Sequence, residues 1–220
     1  MRDPRLFWSH FSDIRETVEA RLGGFQGVLP ACEMNRVGPG LLTALAAYDP
    51  ALTLELERFE GIFAMIVGAG DDAARFASAR ELALAAPLAP GWVMRALRPR
   101  RDPGEALRAD APTLRMDRLR FAYGLANDRV VVMVLAEEAP LEAPGARFLA
   151  RRLVSDLLGE EDYGLFVSDA RLMRYADWLA ATPGGRSWPI AELAARFDAI
   201  FHPPRRTWRP QTVQPQTLCA

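Results

Sequence analysis

The chain has no lysine: all 27 of its basic residues are arginine. Schiff-base chemistry through a lysine amine is therefore excluded. The arginines are spread along the chain, as codon bias in a GC-rich genome produces. The same bias also suits a surface built for bidentate contact with carboxylates or phosphates. The two cysteines, Cys32 and Cys219, are too few for a disulfide framework or a cysteine-rich metal site. The two histidines, His10 and His202, make no Ser-His-Asp or metal-ligand spacing with their sequence neighbours. No run reaches the roughly 20 apolar residues of a membrane span. The first residues interleave Asp3, Arg5, His10 and Asp13 with apolar side chains, unlike a signal-peptide core. A net charge of -1 gives little bulk attraction to nucleic acid or to an anionic membrane. These absences lead to the expectation of a cytosolic protein.

What is present is an ordinary globular composition, with half of 220 residues hydrophobic and a quarter charged. A chain of this length hides about 70% of the surface that its unfolded form exposes, so neither disulfide nor metal is required for stability. The stretch 51–98 reads strand, tight turn, strand, helix, strand. Leu52, Leu54 and Leu56 alternate with Thr53, Glu55 and Glu57, which puts leucines on one face and polar side chains on the other. Glu60-Gly61 supplies the turn, and Ile62 to Val67 is a continuous apolar strand. Gly68-Ala69-Gly70 ends it, and Asp71 or Asp72 caps the helix that follows. That helix stops before Pro87, and Trp92 to Arg98 forms a strand expected to run parallel to 62–67.

The same order recurs over 118–169. Leu119, Phe121 and Tyr123 alternate with polar or small residues, Asn127-Asp128 lies in a turn, and Val130 to Leu135 is a second apolar run. A helix follows with Phe148, Leu149, Leu153, Asp156 and Leu157 near one stripe, ending at Leu158-Gly159. Tyr163 to Asp169 then reads as a strand. Two strand–strand–helix–strand units side by side predict an α+β fold with a mixed sheet of about six strands packed with helices. A helix capped by Asp3-Pro4 and carrying Phe7, Phe11, Ile14, Val18 and Leu22 precedes them, with a short helix over 39–48. A helix over 189–201 follows. The whole is expected as a single α+β domain over 1–202, with a flexible tail over 203–220.

The first helix with Phe7-Trp8 and Phe11, the strand Leu52 to Leu56, the run Ile62 to Gly70, the Ala86-Pro87 and Pro90-Gly91-Trp92 turn, and Leu157-Leu158-Gly159-Glu160 stand in an order that resembles a family of small bacterial α+β proteins of unknown function. The resemblance covers roughly residues 5–170. It implies an α+β bacterial protein and carries no activity with it. The family pattern has an acidic residue and a glycine after its second strand, which Gly70-Asp71-Asp72 only approximates.

Few residues suggest chemistry. Glu160, Glu161 and Asp162 cluster at a helix end, where the helix dipole disfavours them. That misfit singles out Glu160 and Asp162 as the weak candidates for acid–base work or divalent-metal binding. Gly68-Ala69-Gly70 before a helix could cradle an anion through its amides, but the spacing is no nucleotide fingerprint and Asp71-Asp72 opposes a phosphate. Arg98, Arg100 and Arg101 form one basic patch; Arg205, Arg206 and Trp208 form a second, in the tail, as a weak interaction candidate. No cofactor signature and no metal-site spacing is found. The expected function is non-catalytic binding of another protein or of a second copy, with no membrane or nucleic-acid partner. The alternative is a small hydrolase or metal-dependent enzyme using the acidic cluster 160–162.

Overall fold

The computed structural model describes residues 3–103, 115–137 and 146–202. The tail patch of Arg205, Arg206 and Trp208 lies outside them. Helix α1 (Pro4–Leu22) starts as its sequence dictates: the Asp3 side chain accepts the Arg5 N–H, and Pro4 takes a position whose own N–H has no helical partner. Its buried stripe of Phe7, Trp8, Phe11, Val18 and Leu22 faces the first half of the molecule. Then come β1 (Gly27–Val28), α2 (Met34–Val37), α3 (Leu41–Tyr48), β2 (Thr53–Phe59), β3 (Ile62–Gly68), α4 (Phe76–Leu84) and β4 (Trp92–Ala96). The second half holds β5 (Arg120–Ala126), β6 (Arg129–Ala136), α5 (Ala146–Leu158), α6 (Glu160–Phe166), β7 (Val167–Arg174), α7 (Tyr175–Ala181), β8 (Trp188–Pro189) and α8 (Leu193–Phe201).

The fold is α+β, with two four-stranded sheets in place of the one sheet of about six strands expected. Their orders are β1-β2-β3-β4 and β7-β6-β5-β8. In each half a hairpin is followed by a helical crossover to a parallel strand: β2 pairs antiparallel with β3 and β3 parallel with β4; β5 pairs antiparallel with β6 and β6 parallel with β7. Both hairpin turns place two residues at positive φ, Glu60-Gly61 and Asn127-Asp128, the geometry that matches strand twist. The two extra strands are two residues long. One precedes its hairpin and one follows, and each adds to the outer edge of the hairpin's first strand. Such short strands have no periodicity to read, which is why the strand count differed.

Each half has its own apolar core. One is built from α1 to α4 and the first sheet around Phe7, Phe11, Leu56, Met65 and Leu82. The other is built from the second sheet with α5, α6 and α8 around Phe121, Val132, Val134, Leu153 and Phe197. The second half departs from expectation at one place. Residues 160–166 form helix α6, and the strand expected over 163–169 begins at Val167 and runs to Arg174. Gly159 at φ 81° breaks the chain between two helices, so Glu160, Glu161 and Asp162 stand in the first turn of a new helix. There the dipole favours carboxylates, the reverse of the sequence reading. Phe148, expected in the buried stripe of α5, is 62% exposed. Among the described residues no helix is long and apolar enough to cross a membrane.

Helix α6 lies against the first half at Gly164, where an added Cβ would stand 2.6 Å from Phe76 Cζ and 3.0 Å from the Asp71 carbonyl oxygen. Alanine gains about 1 kcal/mol over glycine in a helix, but overpacking against a buried ring and a backbone oxygen costs about 1–3 kcal/mol. Gly164→Ala is therefore expected to lower the midpoint of urea unfolding, whereas Gly124→Ala, with nothing within 4 Å, leaves it nearly unchanged. Equal midpoints for the two variants would count against close docking of α6.

Candidate functional site

The halves meet where β3 and β4 end. The chain leaves β3 through Gly68-Ala69-Gly70-Asp71, with Gly70 at φ 63° and Asp71 at φ 65°. This turn points the amides of Ala69 and Asp71 to one side and makes an anion-binding concavity. The anion is supplied by the chain itself. Ala69 N–H and Asp71 N–H donate to Glu160 Oε1 at 2.8 and 3.0 Å, and Arg98 N–H, at the end of β4, donates to Glu160 Oε2 at 2.9 Å. In return Glu160 N–H donates to the Arg98 carbonyl at 3.0 Å. Glu160 is wholly buried. Gly68 is required because a Cβ there would lie 2.4 Å from Thr53 Oγ1 and 3.0 Å from Glu160 Oε2.

Around this staple lies a buried ionic seam. Arg98 Nη2 donates to Asp71 Oδ1 at 2.6 Å and to Ser155 Oγ at 2.7 Å, and Ser155 Oγ donates to Asp71 Oδ1 at 2.6 Å. Arg101 reaches Glu55 at 2.7 Å and Asp156 at 3.2 Å, and also pairs with Glu57. Arg152 closes the array on Glu55 at 2.8 Å and Asp156 at 3.0 Å. Burial opposes the charge on Glu55, but Arg152, Arg98 and Arg101 together outweigh it and hold its carboxyl below the usual carboxylate range. Burial pushes Glu57 and Asp156 the other way, above that range, against the pull of their arginines.

Of the two residues singled out from sequence, Glu160 is the staple. Asp162 stands in the same first turn but is partly exposed and joins a different group. Arg100 donates to Asp162 and to both oxygens of Asp198, at 2.8 and 2.7 Å for the latter, and His202 Nε2 lies 3.0 Å from Asp162 Oδ1. The hydrogen bond from Arg100 and its charge lower the Asp198 carboxyl. One ligand atom from each of Asp162, Asp198 and His202 falls within 4.8 Å of the others, a spacing able to hold a metal ion. Arg100 already supplies a cation to both carboxylates. The structure thus separates Glu160 from Asp162: they do not form a carboxylate pair aimed at a common point.

Between the halves opens a cleft of roughly 500 Å³ lined by Val28, Leu29, Pro30, Met34, Thr53, Leu54, Glu55, Gly70, Asp71, Arg98, Phe148, Arg151 and Arg152. It lies outside the carboxyl ends of β3 and β4, the customary crevice of sheets with parallel strands. Sequence reasoning did not find it. Its one available signal was Glu55 and Glu57 on a strand whose other face is leucine, with Arg98 and Arg101 following β4. Both glutamates lie buried under Arg101 instead of facing solvent. No protein-family model, curated protein or solved structure matches this chain.

Two outcomes follow for the seam. Glu160→Gln puts an amide N–H₂ among three N–H donors and is expected to cost about 3 kcal/mol. Asp162→Asn, at a partly exposed pair, should cost less than about 1 kcal/mol. Denaturant titration of both variants checks the contrast; a small loss at Glu160 would remove the staple. For Glu55, a depressed folded pKa means that its stabilisation is present above about pH 4 and is lost as pH falls through the lowered folded value. Glu57 and Asp156 act in the opposite sense, since protonation at their raised values relieves a burial penalty. Glu55→Gln should therefore be less stable at neutral pH and lose less of its remaining stability below about pH 4 than the wild type. Parallel melting profiles from pH 3 to 7 would contradict this assignment.

Proposed function

We propose that this protein acts by binding another protein, without catalysis, and that the cleft between its halves is the binding face. The observation that carries this reading is the position of Glu160. The strongest acid–base candidate of the sequence spends both carboxylate oxygens on three backbone N–H groups and is closed to solvent. A general acid or base must reach a substrate proton. The seam arginines and carboxylates are likewise paired with one another, while the cleft beside them adds a solvent-facing aromatic, Phe148, and a partly exposed Arg151. Exposed aromatic and arginine side chains side by side are the residues that anchor interfaces. A cytosolic setting and a bacterial origin fit this reading as the sequence suggested them.

A second reading moves the metal-dependent hydrolase expected at the cluster 160–162 to Asp162, Asp198 and His202, whose ligand atoms converge. It requires a divalent ion to displace the Arg100 guanidinium from both aspartates.

The two readings separate on purified full-length protein. Used as bait in lysate of its native host, the wild type is expected to retain one protein at stoichiometric level. Phe148→Ser should lose that protein, and Leu88→Ser, fully exposed and outside the cleft, should keep it. Equal retention by both variants would remove the cleft as the binding face. Thermal-shift titration with Mg²⁺, Mn²⁺ and Zn²⁺ is expected to leave the melting temperature unchanged; a rise abolished by Asp198→Asn would favour the metal reading.

A further inference from the structure

The cleft offers three kinds of contact at once, and together they restrict what fits. Its first element is charge. Arg98, Arg151 and Arg152 line it with Glu55 and Asp71. Arg98 and Arg152 are engaged within the buried array by Glu55, Asp71 and Asp156, so Arg151 is the lining arginine most open to an incoming group, which suits a single carboxylate; a dianion such as a phosphate monoester would face Glu55 and Asp71. Arg98 and Arg152 are held by ion pairs at 2.6 and 2.8 Å. Arg151 is held more loosely: its ion-pair contact with Asp71 Oδ2 is 4.0 Å long and its side chain is 46% exposed. A guanidinium so placed presents a planar pair of donors to an incoming carboxylate.

The second element is a strand edge at Leu54, which lines the cleft although only 7% exposed. Leu29 N–H donates to the Leu56 carbonyl at 2.8 Å, so the backbone of Leu56 turns toward β1. Leu54, two residues earlier on β2, turns its N–H and C=O to the same side. Strand β1 pairs only with Glu57 and Arg58, so among the described residues no strand lies opposite Leu54 there. Pro30, next in line, has no N–H, and Ala31 enters a 3₁₀ turn. An extended chain laid in the cleft would continue the line of β1 and take both hydrogen bonds of Leu54. The third element is apolar: Leu29 and Met34 on one wall, Phe148 on the other. The volume is that of a small-ligand site, too small for a folded surface and sufficient for the last residues of a chain.

We propose that the cleft binds the carboxyl-terminal end of a partner protein in extended form. Its main chain pairs with Leu54, its terminal carboxylate lies on Arg151, and its last apolar side chains lie between Phe148 and Met34. The inference rests on the binding reading above and names the part of the partner that is recognised.

The test uses a pool of synthetic octapeptides degenerate in their last four positions, prepared as free acids and as amides, passed over the immobilised full chain. Free acids are expected to be retained about tenfold or more over amides, the worth of a charge-assisted hydrogen bond. Arg151→Gln should erase the preference, and Leu88→Ser should keep it; the melting temperature of each variant shows that it is folded. Competition by hexanoate as effective as that of the selected peptide would overturn the strand pairing, since a small acid has no main chain for Leu54. Equal retention of acids and amides, with both lost in Phe148→Ser, would overturn the carboxylate while leaving the binding reading intact. No retention of peptide, together with lysate capture that is indifferent to Phe148→Ser, would overturn both.

Discussion

A carboxylate buried away from water is stable only where its oxygens find donors. Glu160 finds three, and all belong to the backbone of the opposite half: two in the turn after β3 and one at the end of β4. The geometry of that turn depends on the same contact. Asp71 is a non-glycine residue at φ 65°, a conformation that an aspartate adopts only with local support, and its own N–H is one of the three donors. The turn is shaped to hold an anion, and the anion holds the turn. A site that in other proteins receives phosphate is here filled by a side chain about ninety residues away.

This contact matters because little that is apolar crosses between the halves besides Phe76 against Gly164. The two halves have separate apolar cores, and the seam between them is polar. Apolar contact is non-directional and tolerates small sliding; ion pairs and hydrogen bonds are directional and do not. Arg101 shows how the seam is locked. One guanidinium spans Glu55 and Glu57 on β2 and Asp156 on α5, one fork to two elements. An ammonium, a point charge with three donors, could not present the planar fork that meets them all. The all-arginine composition therefore has a structural use in at least this seam, whatever its origin in codon usage.

The elements of the fold were largely legible because their signals are local. The alternation of Leu52 to Glu57, the apolar runs 62–67 and 130–135, the prolines at 87 and 90 and the Asn127-Asp128 turn each describe a few neighbouring residues, and β2 to β4, β5 and β6 follow them. The failures were non-local. Glu160 to Asp162 looked like a helix end because Gly159 was read as a terminus; the burial of Glu160 across the seam makes it the start of the next helix. Glu55 and Glu57 looked solvated because alternation reports only that two faces differ, not that the polar one is also covered. Arg98 and Arg101 looked like a surface patch because their partners, Glu55, Asp71, Asp156 and Ser155, come from three separate segments.

The same seam determines the shape of the cleft. Glu55, Asp71, Arg98 and Arg152 line it and also belong to the ionic array, so the gap cannot widen or close without breaking buried ion pairs. Breaking such a pair by removing one partner is costly because the other is left charged and buried. A cleft held in this way is preorganised: an incoming chain does not have to order the walls it meets, and more of its contact energy appears as affinity. The two lining side chains least engaged with the array, Phe148 and Arg151, are the ones with freedom to adjust to what arrives. Fixed charges beneath and adaptable anchors above are what a recognition site requires, and they arise here because two apolar cores were joined through polar groups.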